Sequence, residues 1–204
     1  MNPLTYTPLT PADFVGDSRE WANLLVKMVA DSRAEGFAPI KLLLNGPPGT
    51  GKSSLVKFLQ HIAGIHPKWS TTKVNGTKVS VELIQDIENG MAYRDLYGDY
   101  KLIWIEEVDK VGTNQQCRLL TTLDDLTPGV IFACTSNCKI KDFEPRFQSR
   151  FQVMEVGAVK SDHIEELLGK FLTDKNAARQ IATFACGNVR QALLDAKSAQ
   201  LCTV

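Results

Sequence analysis

The chain has no excess of either charge: 23 Lys and Arg residues stand against 23 Asp and Glu. With no net field, composition by itself recruits neither nucleic acid nor an acidic membrane surface, and any such contact must come from a local patch. No apolar run reaches the roughly eighteen residues that a membrane-crossing helix needs. The first residues, Met1 to Tyr6, lack a basic stretch followed by an apolar segment, so a cytoplasmic location without membrane association is expected. Cysteine is sparse and odd in number, with five residues at 117, 134, 138, 186 and 202 and no Cys-x-x-Cys pair. That disfavours a disulfide framework, and no His or Cys pair follows Cys134 and Cys138 at zinc spacing; small buried thiols in a reducing compartment are expected. His61, His66 and His163 stand apart from one another, as surface or hydrogen-bonded histidines do. Internal repeats and low-complexity segments are absent.

What remains is 44% hydrophobic and 23% charged residues over 204 positions, enough for a real core and a small second domain. Residues 1 to 16 carry Pro3, Pro8 and Pro11 and read as an extended arm. Asp17 and Glu20 fit a capping box, and Trp21, Leu24, Leu25, Met28 and Val29 then recur at helical spacing as far as Gly36. Ile40 to Leu44, Trp69 to Val74, Leu102 to Ile105 and Val130 to Cys134 read as strands, with helices over Leu55 to Ile62, Glu82 to Met91 and Asn114 to Leu126. Phe147 to Val156 ends this alternation. Strands and helices in alternation imply an α/β fold with a parallel sheet covered on both faces. From Ser161 the pattern is helical throughout, giving an α/β domain over 1–158 and a small all-helical lid over 159–204.

The sheet is organised around Gly46-Pro47-Pro48-Gly49-Thr50-Gly51-Lys52-Ser53-Ser54, which lies between the first strand and the helix after it. Glycines there let successive N–H groups turn inward around a polyphosphate. Lys52 supplies a mobile cation, Ser53 a hydroxyl ligand for magnesium, and the new helix aims its positive end at the same anion. ATP and Mg2+ are the expected ligands. Glu106 and Glu107 follow an unbroken apolar strand; Glu106 is placed to hold magnesium and Glu107 to polarise an attacking water. Asn137 ends the neighbouring strand, where an amide could bond both water and γ-phosphate. Arg150 and Arg190 are candidates for the cation that phosphoryl transfer requires.

This combination resembles the AAA+ ATPases, and within them the clamp-loader group, over nearly the whole chain. Gly46 to Ser53 resembles Walker A and Leu102 to Asp109 Walker B. The resemblance gives Asn137 the sensor 1 role, makes Ser149-Arg150-Phe151 similar to the box carrying an arginine finger, and makes Gly187 to Leu193 similar to sensor 2, with Arg190 acting on its own subunit's nucleotide. It also implies that the backbone of Asp13 to Asp17, including Val15 and Gly16, lines the adenine pocket, and that Asn75 restrains Glu107. The implied assembly is a ring or spiral of neighbouring AAA+ subunits in which Arg150 reaches the ATP of the next. The sequence departs from that pattern at Glu106, where Asp is usual, at Phe151 for Cys, and at Thr7 for Arg. It also runs to Val204 without the helical collar of clamp-loader subunits, so an assembly held by a partner or DNA, or a transient one, is expected.

The leading expectation is an ATP-hydrolysing subunit that remodels a protein or DNA complex, with a sliding clamp or helicase-like protein as the analogous partner. Lys73, Lys78, Lys101 and Lys110 are candidates to line a DNA channel. A nucleotide-gated binding module with little turnover is the alternative, favoured by Glu106 and the absent collar. A small-molecule kinase on the same loop is a third reading, disfavoured by the paired glutamates, Asn137 and the setting of Arg190.

Overall fold

A computed structural model describes residues 2–93 and 95–202. Five strands form one parallel sheet: β1 Ile40–Asn45, β2 Thr71–Asn75, β3 Lys101–Glu106, β4 Val130–Ser136 and β5 Gln152–Glu155, in the order β2-β3-β4-β1-β5. Both faces are buried, which is why the central strands read as continuous apolar runs. Leu42 and Leu44 enter one core while Leu43 between them enters the other, as the two-residue period of a strand requires.

Helices α1 (Asp17–Ala34) and α2 (Lys52–Ile62) cover the first face through Ala22, Leu25, Val29, Leu55, Phe58 and Leu59. Helices α3 (Val81–Met91) and α4 (Thr113–Asp124), with the short α5 (Pro145–Gln148), cover the second through Ile84, Ile87, Leu119, Leu123 and Phe147. Each such fully buried aliphatic side chain contributes about 1.5–3 kcal/mol relative to exposure. Helices α6 (Ser161–Leu168), α7 (Lys175–Phe184) and α8 (Val189–Cys202) gather around a third cluster of Ile164, Leu168, Ala178, Ala182, Ala192 and Ala196. Among the described residues no helix is long and apolar enough to cross a membrane.

The arm binds both parts. Its residues Pro3–Thr5 and Pro11–Asp13 form short 3-10 turns, and the Tyr6 ring meets Phe171 edge-on at 5.4 Å. Tyr6 donates its hydroxyl to the Asp13 carbonyl at 2.8 Å, and Lys170 reaches both the Tyr6 hydroxyl and the Asp13 carboxylate.

Two local expectations are corrected. Asp17 does not cap α1: the N-cap is Gly16, at φ 58°, ψ −147°, and Asp17 is the first helical residue, its charge instead favouring the positive helix end. Cysteines are not uniformly buried, since Cys134 is enclosed and Cys138 half-buried but Cys117 and Cys186 are exposed. Burial pushes the Cys134 thiol far up, out of reach of ionisation at neutral pH. The side chain of Cys202 and residues 203–204 lie outside the described residues.

Candidate functional site

The carboxyl ends of β1, β3 and β4 open onto one cleft of about 590 Å³. This is where an open parallel sheet places a ligand. Chain geometry after β1 is forced by close approaches. A β-carbon at Gly46, where φ is 144°, would lie 2.0 Å from the Val156 carbonyl oxygen, and one at Gly49 would lie 1.9 Å from Asn188 Oδ1. The loop is therefore wedged between the end of β5 and the start of α8. The amide of Arg190 closes that contact by donating to the Gly49 carbonyl at 3.2 Å.

Lys52, at the first position of α2, is buried and donates to the Gly46 and Pro47 carbonyls, both at 2.7 Å. Burial, and secondarily the charge of Arg190, pull its pKa down to about 8, while Asp109 pushes the other way. Thr50 is buried, with its hydroxyl on the Pro47 carbonyl and its own carbonyl accepting from Ser18. So Pro47 and Thr50 build the loop, while Pro48, Gly49, Gly51, Lys52, Ser53 and Ser54 line the cleft.

Glu106, Glu107, Asn75, Asn137 and Arg190 line the same cleft. Glu107 occupies the left-handed region at φ 53°, ψ 51°, a conformation costing on the order of 1–2 kcal/mol in a residue with a β-carbon. Its Oε2 accepts from Asn75 Nδ2 at 3.2 Å. Glu106 Oε1 pairs with Lys73 Nζ at 3.0 Å. Asn188 caps α8, its Oδ1 accepting from the Gln191 amide at 3.0 Å.

Other expected site residues are elsewhere. Val15 is buried in the lid cluster, and the Gly16 amide donates to His163 Nδ1 at 3.0 Å, so neither lines this cleft; the arm contributes Pro3, Leu4 and Tyr6 instead. Arg150 is also outside it. Its guanidinium makes a bidentate pair with Asp124 at 2.9 and 2.7 Å and donates to the Arg146 carbonyl at 2.8 Å. Of the four lysines considered for a channel, Lys73 holds Glu106, and Lys101, at the opposite end of β3 from Lys110, donates to the Gly90 and Tyr93 carbonyls.

Asp109 does not line the cleft but braces its rim. Its Oδ1 accepts from the buried Ser136 hydroxyl at 2.7 Å and from the Asn137 amide at 3.4 Å, tying the ends of β3 and β4 together. The sequence signal for it is its position three residues past Glu106, at a strand end already marked as a site.

The donor set fits a magnesium ion. Ser53 and Glu106 offer hard oxygens on one cleft, and magnesium takes one or two such protein ligands while keeping waters and phosphate oxygens. Among the described residues no group of three or more His, Cys, Asp or Glu could hold a metal without such help.

Comparison with known proteins agrees with this architecture. Over 202 residues the chain is 28% identical to the probable replication factor C subunit 2 of Dictyostelium discoideum, covering 92% of this chain and 57% of that protein. Over 165 residues it is 26% identical to the replication-associated recombination protein A of Escherichia coli K12, covering 74% and 36%. The chain thus spans little more than half of the first relative. The Thermotoga maritima RuvB Holliday junction branch migration motor has the same fold, with TM-score 0.76 at 17% identity, covering 95% of this chain and 64% of that one. Residues 42–157 match the family described as ATPase family associated with various cellular activities (AAA). The chain therefore belongs to the AAA ATPases, with a P-loop α/β sheet and a helical C-terminal part.

Proposed function

We propose that the chain binds Mg–ATP in this cleft and hydrolyses it when a neighbouring AAA+ subunit supplies Arg150, using the cycle to remodel a protein or DNA complex in the manner of a clamp loader. The observation that carries this reading is a division of the cations: Lys52 and Arg190 attend the cleft, whereas Arg150 is held on α4 by Asp124. Such a site is incomplete in one copy.

In this reading Lys52 and the loop amides hold the β- and γ-phosphates, and Ser53 and Glu106 hold the metal, which supplies Lewis-acid charge neutralisation when bound. Glu107 takes the proton of the attacking water, Asn137 orients that water, and Arg190 senses the γ-phosphate from the lid. Val15 and Gly16 serve by packing the arm against the lid rather than by touching the base. A finger contributed by the next subunit is worth about three to five powers of ten in rate.

The test is turnover against protein concentration, followed by mixing. Glu107→Gln and Arg150→Ala proteins are each expected to be nearly inactive alone and to recover activity together, because the mixture contains junctions with an intact Glu107 facing an intact Arg150. No recovery, with ATP still bound by both, would refute the shared site. The nucleotide-gated module is the second reading, favoured by the restraints on Glu107 by Asn75 and on Glu106 by Lys73. It predicts ATP-dependent assembly with negligible turnover at every concentration.

A further inference from the structure

Lys73 belongs to no motif, yet it is paired with Glu106, which lines the cleft. It lies on edge strand β2 opposite Trp104 of β3, with Asn75 opposite Glu106. Residues two apart on a strand share a face, so Lys73 and Glu106 are diagonal neighbours across the ladder. The ammonium sits 4.1 Å from the Trp104 ring centroid and 3.0 Å from Glu106 Oε1, its stem and head held from two directions. Side-chain exposures of 44% for Lys73 and 29% for Glu106 make the pair a minor contributor to folding. Its consequence is for what approaches Glu106.

We infer that Lys73 is a positioning residue for the metal side of the site: a resident cation that holds one oxygen of Glu106, attracts the triphosphate, and competes with the divalent ion. This rests on the Mg–ATP reading of the cleft and adds a term to it. The ammonium adds positive potential to a cleft that already has Lys52 and Arg190, which favours nucleotide without metal. The same charge repels a divalent cation and occupies Glu106 Oε1, which disfavours metal on the bound nucleotide. Nucleotide affinity and metal affinity are therefore set against each other through one side chain. The longer reach of Glu over Asp at position 106 belongs with the same device, because it lets one carboxylate face both the lysine and the divalent ion.

The experiment measures two equilibria on the full chain. Fluorescent mant-ATP is titrated in EDTA, and free Mn2+ is then followed by electron paramagnetic resonance as the metal is added to the nucleotide complex. Lys73→Met keeps an apolar stem over Trp104 and removes the charge. It is expected to weaken metal-free nucleotide binding by about threefold to tenfold and to tighten Mn2+ binding by a similar factor, magnitudes typical of one partly exposed charge. Lys73→Arg keeps the charge and the contact with the ring, and should stay within about twofold of the unmodified protein. Should Lys73→Met fold poorly, Lys73→Gln is read in the same way. Unchanged affinities, or two affinities moving in the same direction, overturn the inference. Lys52→Ala separates the failures: if it binds mant-ATP normally the cleft is not the nucleotide site, whereas if it loses binding while Lys73→Met behaves as unmodified, only the role of Lys73 is refuted.

Discussion

Lys52 must be charged to hold phosphate, and its surroundings make that charge sensitive to pH. Burial and the Arg190 guanidinium bring its pKa to about 8 in this structure. A triphosphate beside it raises that pKa, so binding takes up a proton whenever the free protein has lost one. Below pH 8 the side chain is protonated in both states and affinity is level. Above it, affinity falls by up to about tenfold per pH unit until the pKa of the bound state is reached, so moving from pH 7 to pH 9 weakens binding by about tenfold. Magnesium-free mant-ATP titration at constant ionic strength measures this directly. Lys52→Arg, which does not titrate in this range, should give weaker binding that is flat from pH 7.5 to 9. Arg190→Ala removes a depressing charge and should move the inflection upward, while Asp109→Asn removes the opposing one and should move it downward. An affinity independent of pH between 7.5 and 9 in the unmodified chain would refute the account of Lys52.

Three further outcomes test the scaffold and the restraint on Glu107. Gly46→Ala places a methyl group 2.0 Å from the Val156 carbonyl oxygen at a backbone φ of 144°, and should destabilise the fold by about 3 kcal/mol or more in urea unfolding. Phe132→Ala empties a fully buried position at the centre of β4 and should cost about 3–5 kcal/mol in the same assay. Asn75→Ala removes the amide on Glu107 Oε2 and should raise turnover severalfold with ATP affinity within about twofold; a loss of affinity instead would make Asn75 part of the binding wall.

The phosphate loop, the sheet and its helices were legible because each depends on local rules. Glycine spacing at Gly46, Gly49 and Gly51 reports backbone conformation, and unbroken apolar runs such as Leu102 to Ile105 report strands covered on both faces. Local rules also failed locally: Asp17 looked like a cap, but the chain turns at Gly16, whose amide is taken by His163 from 147 residues away. Side-chain pairing was the least legible feature, since it is fixed by strand register and helix packing. Lys73 reads in the sequence as a candidate for a DNA channel, and only the β2–β3 register sets it diagonal to Glu106; Arg150 reads as a candidate catalytic cation, and only the packing of α4 presents Asp124 to it.

By itself, the sequence determined that an anion-binding loop follows a buried strand and that acidic and amide side chains end the strands beside it, because these are properties of spacing and backbone freedom. Only the tertiary structure decided which of those groups share a cleft and which are already paired. That choice depends on the sheet order, which brings β1 between β4 and β5, and on distances between residues far apart in the chain, where a charge counts only if nothing nearer has neutralised it.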